Sequence, residues 1–120
     1  MSENVIKVKS FSFALRIVKL YQFLNQEKKE YVLSTQLLRS GTAIGALVRE
    51  AEQAESKPDF IHKLAIAQKE ANETDYWLEL LFQSSYLNDI QFQSLNSDIV
   101  EINKILASIR ITTKQNIAKK

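Results

Sequence analysis

The sequence contains no cysteine, one proline (Pro58), two glycines (Gly41 and Gly45) and one histidine (His62) in 120 residues. Average composition would put about 8 glycines and about 6 prolines in a chain of this length. Without cysteine there is neither a disulfide framework nor a thiolate metal site. The shortage of glycine and proline disfavours turn-rich β folds, phosphate-cradling glycine loops and collagen-like repeats. No apolar run approaches the ~18 residues that a membrane-spanning helix needs, and the stretch around Glu3 lacks the apolar core of a signal peptide. The lone histidine removes most catalytic constellations at once. A di-metal bundle site needs two Glu-x-x-His elements with further carboxylates, whereas this chain offers only Asp59-x-x-His62. A zincin helix and a Ser-His-Asp triad fail on the same shortage. The expectation is a soluble, cytoplasmic, non-enzymatic protein with no catalytic residue, metal, cofactor, membrane partner or small-molecule substrate.

What the chain does contain is apolar residues at helical spacing. With 45% hydrophobic and 25% charged residues in 13.8 kDa, it is sized for one domain around one core. Phe13, Ile17, Leu20 and Leu24 are spaced 4, 3, 4, flanked by a second stripe of Phe11, Ala14, Val18 and Tyr21. That pattern predicts a helix over residues 4–26, with a broader apolar face than contact with one neighbour requires. The polar cluster Asn25 to Glu30 reads as a loop or frayed helix end. Leu33, Leu37, Ser40, Ile44, Leu47, Ala51 and Ala54 then predict a helix over 31–55. Gly41 and Gly45 lie inside it, four apart on one face, although each costs about 1 kcal/mol relative to alanine. They imply either a neighbouring backbone so close that no Cβ fits, or a helix break near Gly41.

Ser56-Lys57-Pro58-Asp59 carries a helix start: Ser56 as N-cap, proline in the first turn and an acid three residues after the cap. A third helix follows over 57–86, with Phe60, Leu64, Ala67, Ala71, Leu78 and Leu81 as its core face. After a turn at Asn88 and Asp89, the run Phe92, Leu95, Ile99, Ile102, Leu106 and Ile109 repeats 3, 4, 3, 4, 3, a coiled-coil-like seam over 90–112. Residues 113–120 read as a solvated tail. Four amphipathic helices with short connections define an all-α, antiparallel up-down four-helix bundle occupying the whole chain as a single domain. Tyr21, Phe23, Tyr31, Tyr76, Trp77, Phe82 and Tyr86 exceed what one thin core holds, which predicts aromatic surface left for other subunits.

Charge is unevenly shared. Residues 1–30 carry +3, residues 31–55 carry −1, residues 56–87 carry −2 and residues 88–120 carry +2. Lys7, Lys9, Arg16 and Lys19 on the first helix are therefore the candidate nucleic-acid contacts, since repetition by symmetry would build a basic surface from a modest excess. On the third helix Glu70, Glu73, Asp75 and Glu79 read as a solvated face or as ion pairs with a neighbouring helix or subunit, not as an acid/base pair.

Gln36-Leu37-Leu38-Arg39-Ser40-Gly41-Thr42-Ala43-Ile44-Gly45 is followed by Arg49-Glu50-Ala51, Asp59-Phe60, Lys63-Leu64 and Lys69-Glu70-Ala71. With Glu73-Thr74 and Tyr76-Trp77-Leu78, this block resembles the bacterial 23S rRNA intervening-sequence family, also labelled S23 ribosomal proteins, over about residues 10 to 90. The chain departs from the family pattern at Ala43, where serine is common, and at Leu47, where asparagine is common. The resemblance implies an up-down bundle, assembly into homo-oligomers, often pentamers, and no enzyme activity. Some relatives are encoded inside inserts of ribosomal RNA genes, and more distant ones are basic accessory proteins of retroelement reverse transcriptases. Arg39, Ser40, Gly41, Glu50, Glu70, Glu73, Tyr76 and Trp77 match the family pattern. With Gly45, the residues Arg39, Gly41, Glu70, Glu73, Tyr76 and Trp77 are the candidate helix-packing or oligomer contacts. Two readings stay open: an oligomeric scaffold that binds RNA or a reverse transcriptase, and a structural or protein-binding module with no nucleic-acid role.

Overall fold

The computed structural model describes the backbone of residues 2–118 and the side chains of residues 5–118. Its elements are α1 (Ser2–Gln26), α2 (Leu33–Glu52), α3 (Lys57–Gln83) and α4 (Asp89–Ala118), with no strand among the described residues. Each helix packs on two neighbours, α1 on α2 and α4, and α3 on α2 and α4, so α1 and α3 occupy opposite corners of a square. Cross-helix pairs run in opposite chain directions: Lys7 with Glu52, Lys63 with Glu50, Phe82 with Phe92, and Lys9 with Glu101. The result is an antiparallel up-down bundle measuring 54 × 22 × 20 Å.

The helical spacings place the core as expected. Phe13, Ile17, Leu20 and Leu24 of α1 meet Leu37, Ile44 and Ala51 of α2, Leu64, Ala67, Ala71, Leu78 and Leu81 of α3, and Leu95 to Ile109 of the α4 seam. Burying each large aliphatic side chain contributes ~1.5–3 kcal/mol. Leu33, Leu47, Phe60 and Phe92 sit at the margin, half-buried against this core.

The helix ends differ from the sequence expectation for identifiable reasons. α2 begins at Leu33 instead of Tyr31 because Glu30 folds under it. The buried Glu30 carboxylate accepts the N–H groups of Val32, Leu33 and Ser34 at 3.1, 2.9 and 2.7 Å, satisfying donors that every helix start leaves free. The Ser34 hydroxyl donates back to the Glu30 carbonyl at 3.0 Å. α2 stops at Glu52 instead of Glu55 because Ser56 must be extended to cap α3 (φ −152°, ψ 165°), and residues 53–55 make the turn. The expected cap is present: Ser56 Oγ accepts the Asp59 N–H at 3.2 Å. α3 ends at Gln83, short of Tyr86, where Ser85 takes a left-handed φ of 70° and the Tyr86 N–H closes onto the Leu81 carbonyl. α4 starts behind a reciprocal box in which Asn88 Oδ1 accepts the Gln91 N–H and Gln91 Oε1 accepts the Asn88 N–H, at 2.8 and 2.9 Å.

The expected tail is solvated, with residues 114–118 exposed, but it is helical. Residues 113–118 continue α4 in regular helix, since no glycine or proline interrupts them and Lys114, Gln115 and Ala118 are good helix formers. Lys119 and Lys120, the end of that expected tail, lie outside the described residues.

No break occurs at Gly41, and both glycines stay within α2 without positive φ. Their neighbours differ. A Cβ on Gly41 would lie 2.9 and 3.0 Å from Cγ1 and Cγ2 of the fully buried Ile17. A Cβ on Gly45 would rest 3.4 Å from the Ser10 carbonyl oxygen, an ordinary contact. The expectation that neither position has room for a Cβ therefore holds at Gly41, through a side chain and not a backbone, and fails at Gly45.

Candidate functional site

The four basic side chains singled out on α1 do not form one surface. Lys7 faces α2 and pairs with Glu52 at 3.3 Å, while Lys9 and Arg16 face α4, paired with Glu101 at 3.1 Å and with Asp98. Arg16 also donates to Ser94 Oγ at 2.8 Å. Only Lys19 has no carboxylate partner among the described residues. Each pair is roughly 40% exposed and so contributes little stability, but a paired cation attracts phosphate less than a free one.

The α2–α3 seam gathers the second group. Arg39 reaches across to Glu70 at 3.2 Å and to Glu73, and the Trp77 indole N–H donates to the same Glu73 carboxylate at 3.0 Å. The Trp77 bond first, and Arg39 second, hold the Glu73 carboxyl below its ordinary value. Beneath this ion pair, the buried Thr74 and Ser40 hydroxyls share a bond at 2.9 Å, and Thr74 also donates to the Glu70 carbonyl. Each buried hydroxyl thus finds a partner. Of the candidate contact residues, Arg39, Glu70, Glu73 and Trp77 come together here, with Tyr76 stacked edge-on against Trp77 at 5.0 Å. Gly41 and Gly45 lie apart from them, against α1. Leu47, one of the two expected departures from the family pattern, packs against the core. Among the described residues no cluster of three or more histidine, aspartate or glutamate side chains is disposed to hold a metal. His62 is exposed and stands outside both groups.

The aromatic surplus resolves differently from the expectation. Of the seven aromatics expected to exceed one core and leave aromatic surface, only Tyr31 and Tyr76 are exposed: Phe23, Trp77, Phe82 and Tyr86 pack along the core margin and Tyr21 is half-buried. The exposed apolar surface is concentrated instead on the outer side of α1. Val8, Phe11, Leu15 and Val18, spaced 3, 4, 3, are 37% to 65% exposed. The second stripe expected on α1 held Phe11 and Val18 but paired them with Ala14 and Tyr21 beside the core run. Val8 and Leu15 lie at 3- and 4-residue spacing from Phe11 on the side away from Phe13 and Ile17, which turns that stripe outward.

The fold and this surface define a class: an all-helical antiparallel four-helix bundle with an uncovered apolar stripe along α1. No helix among the described residues is long and apolar enough to cross a membrane. Residues 2–108 match the model of the 23S rRNA-intervening sequence protein family, and the chain belongs to that family. It is similar to a crystal structure from Bacteroides thetaiotaomicron, a protein of unknown function from the S23 ribosomal protein family. The two are 61% identical over 92% of this chain and 98% of that one, with a TM-score of 0.91. No curated protein matches the chain.

Proposed function

We propose that this protein is a non-enzymatic, homo-oligomeric scaffold that acts through protein–protein contacts. The observation that carries the reading is the outer stripe of α1. Four large apolar side chains one turn apart, turned away from the core, are costly to leave in water and are the composition of an interface. The ring assembly implied by the family resemblance accords with it. Light scattering after size exclusion is expected to return a mass several times the 13.8 kDa subunit. A clean monomer at micromolar concentration refutes the reading.

The nucleic-acid reading has narrower support. It rests on the family's description and on the basic character of α1, three of whose cations are already paired. Its test is a salt titration with structured RNA. Phosphate contacts predict binding at ~50 mM salt that falls steeply as salt rises, with little sequence preference. Absence of any shift at that salt leaves the protein-only scaffold.

A further inference from the structure

This inference rests on the oligomeric reading above and names the surfaces that meet. The α1 stripe bears no carboxylate among its described residues, and Asp98 and Glu101 of α4 beside Val8 are neutralised by Arg16 and Lys9. The flanking charges left without an ion-pair partner among the described residues are therefore cations: Lys19, and Arg49 of α2, which lies over the Phe11 ring at 5.0 Å. Two such stripes set face to face would bring like charges together, which disfavours a symmetric α1–α1 contact.

The complementary surface is on the opposite corner of the bundle. On α3, the exposed Tyr76 and the half-buried Leu80 rim a shallow depression of about 250 Å³ completed by Glu79 and Gln83. Asp75 and Glu79, one turn apart beside it, are carboxylates without a cationic partner among the described residues. Apolar knobs flanked by cations on α1 thus match an apolar hollow flanked by anions on α3. We infer that the α1 stripe of one copy docks on the Tyr76–Glu79–Leu80 face of the next, so that each copy carries one face of each kind. Such a contact is heterologous: it propagates head to tail and gives a discrete assembly when successive rotations close a ring.

The test uses the full chain. Leu15→Asp blocks the first face and Tyr76→Asp the second. Both positions are more than half exposed, so the folded subunit tolerates them, which helical circular dichroism and an unchanged cooperative melt verify. Each variant alone is expected to elute as a monomer. Mixed in equal amounts, they are expected to form a 1:1 dimer of twice the subunit mass and nothing larger, because the intact α1 face of one meets the intact α3 face of the other. If the parent is oligomeric but Tyr76→Asp stays fully assembled, or the mixture remains monomeric, this pairing is wrong while the scaffold reading stands. A monomeric parent overturns both.

Discussion

Replacing each glycine of α2 with alanine separates two effects that usually travel together. In a helix interior glycine costs about 1 kcal/mol relative to alanine, so adding a methyl group is stabilising wherever the space exists. At Gly45 it exists: the new Cβ meets the Ser10 carbonyl oxygen at 3.4 Å and Ser10 Oγ at 3.5 Å. Gly45→Ala is therefore expected to raise stability by about 0.5–1 kcal/mol. At Gly41 the same atom meets Ile17 at 2.9 and 3.0 Å. The obstructing atoms are the branch carbons of a fully buried, β-branched side chain, with little rotameric freedom to withdraw. Overpacking of this kind costs about 1–3 kcal/mol, which leaves Gly41→Ala destabilised by about 0–2 kcal/mol after the propensity gain. Urea unfolding followed by helical circular dichroism, at one fixed protein concentration because association shifts apparent stability, measures both. An Ile17→Ala background supplies the control, since removing both branch carbons should turn Gly41→Ala from destabilising to stabilising. If Gly41→Ala is at least as stable as Gly45→Ala in the parent background, the packing argument is refuted.

Glu30→Ala should loosen the first turn of α2 by about 1–2 kcal/mol, the range of a lost helix cap, because three backbone donors lose their acceptor together. Faster hydrogen exchange at the Leu33 and Ser34 amides, with little change in α4, is the expected readout, and uniform exchange across the bundle would contradict it. The Glu73 carboxyl is held below its ordinary value by Trp77 and Arg39, so its contribution to stability is complete above the unfolded value of about 4.3 and is lost as pH falls through the lower folded value. Stability measured from pH 6 down to about pH 3 should therefore fall less steeply in Glu73→Gln than in the parent. Identical slopes would remove Glu73 from the acid response.

Much of this architecture was legible without coordinates, because burial in a helix bundle imposes a 3.6-residue period that residues such as Leu95, Ile99, Ile102, Leu106 and Ile109 display openly. The Ser56 cap was equally readable, being a local bond between residues three apart. So was the family, whose spaced residues extend from Gln36 to Leu78. What escaped was one local cap and the features that depend on a partner across a seam. Glu30 caps α2 from only two to four residues away, but it lies in a charged run with no serine, threonine or asparagine to mark it. Lys7, Lys9 and Arg16, by contrast, resemble a basic surface until α2 and α4 present Glu52, Glu101 and Asp98. The sequence alone determined helix identity, the main core stripe of each helix and the Ser56 start of α3, since periodicity and a serine cap are properties of a short stretch of chain. Only the tertiary structure decided that Gly41 lacks the space Gly45 has, that the α1 cations are mostly paired, and that Val8, Phe11, Leu15 and Val18 remain uncovered. Space, charge pairing and exposure are each set by which helix lies alongside, and that is a property of the assembled bundle.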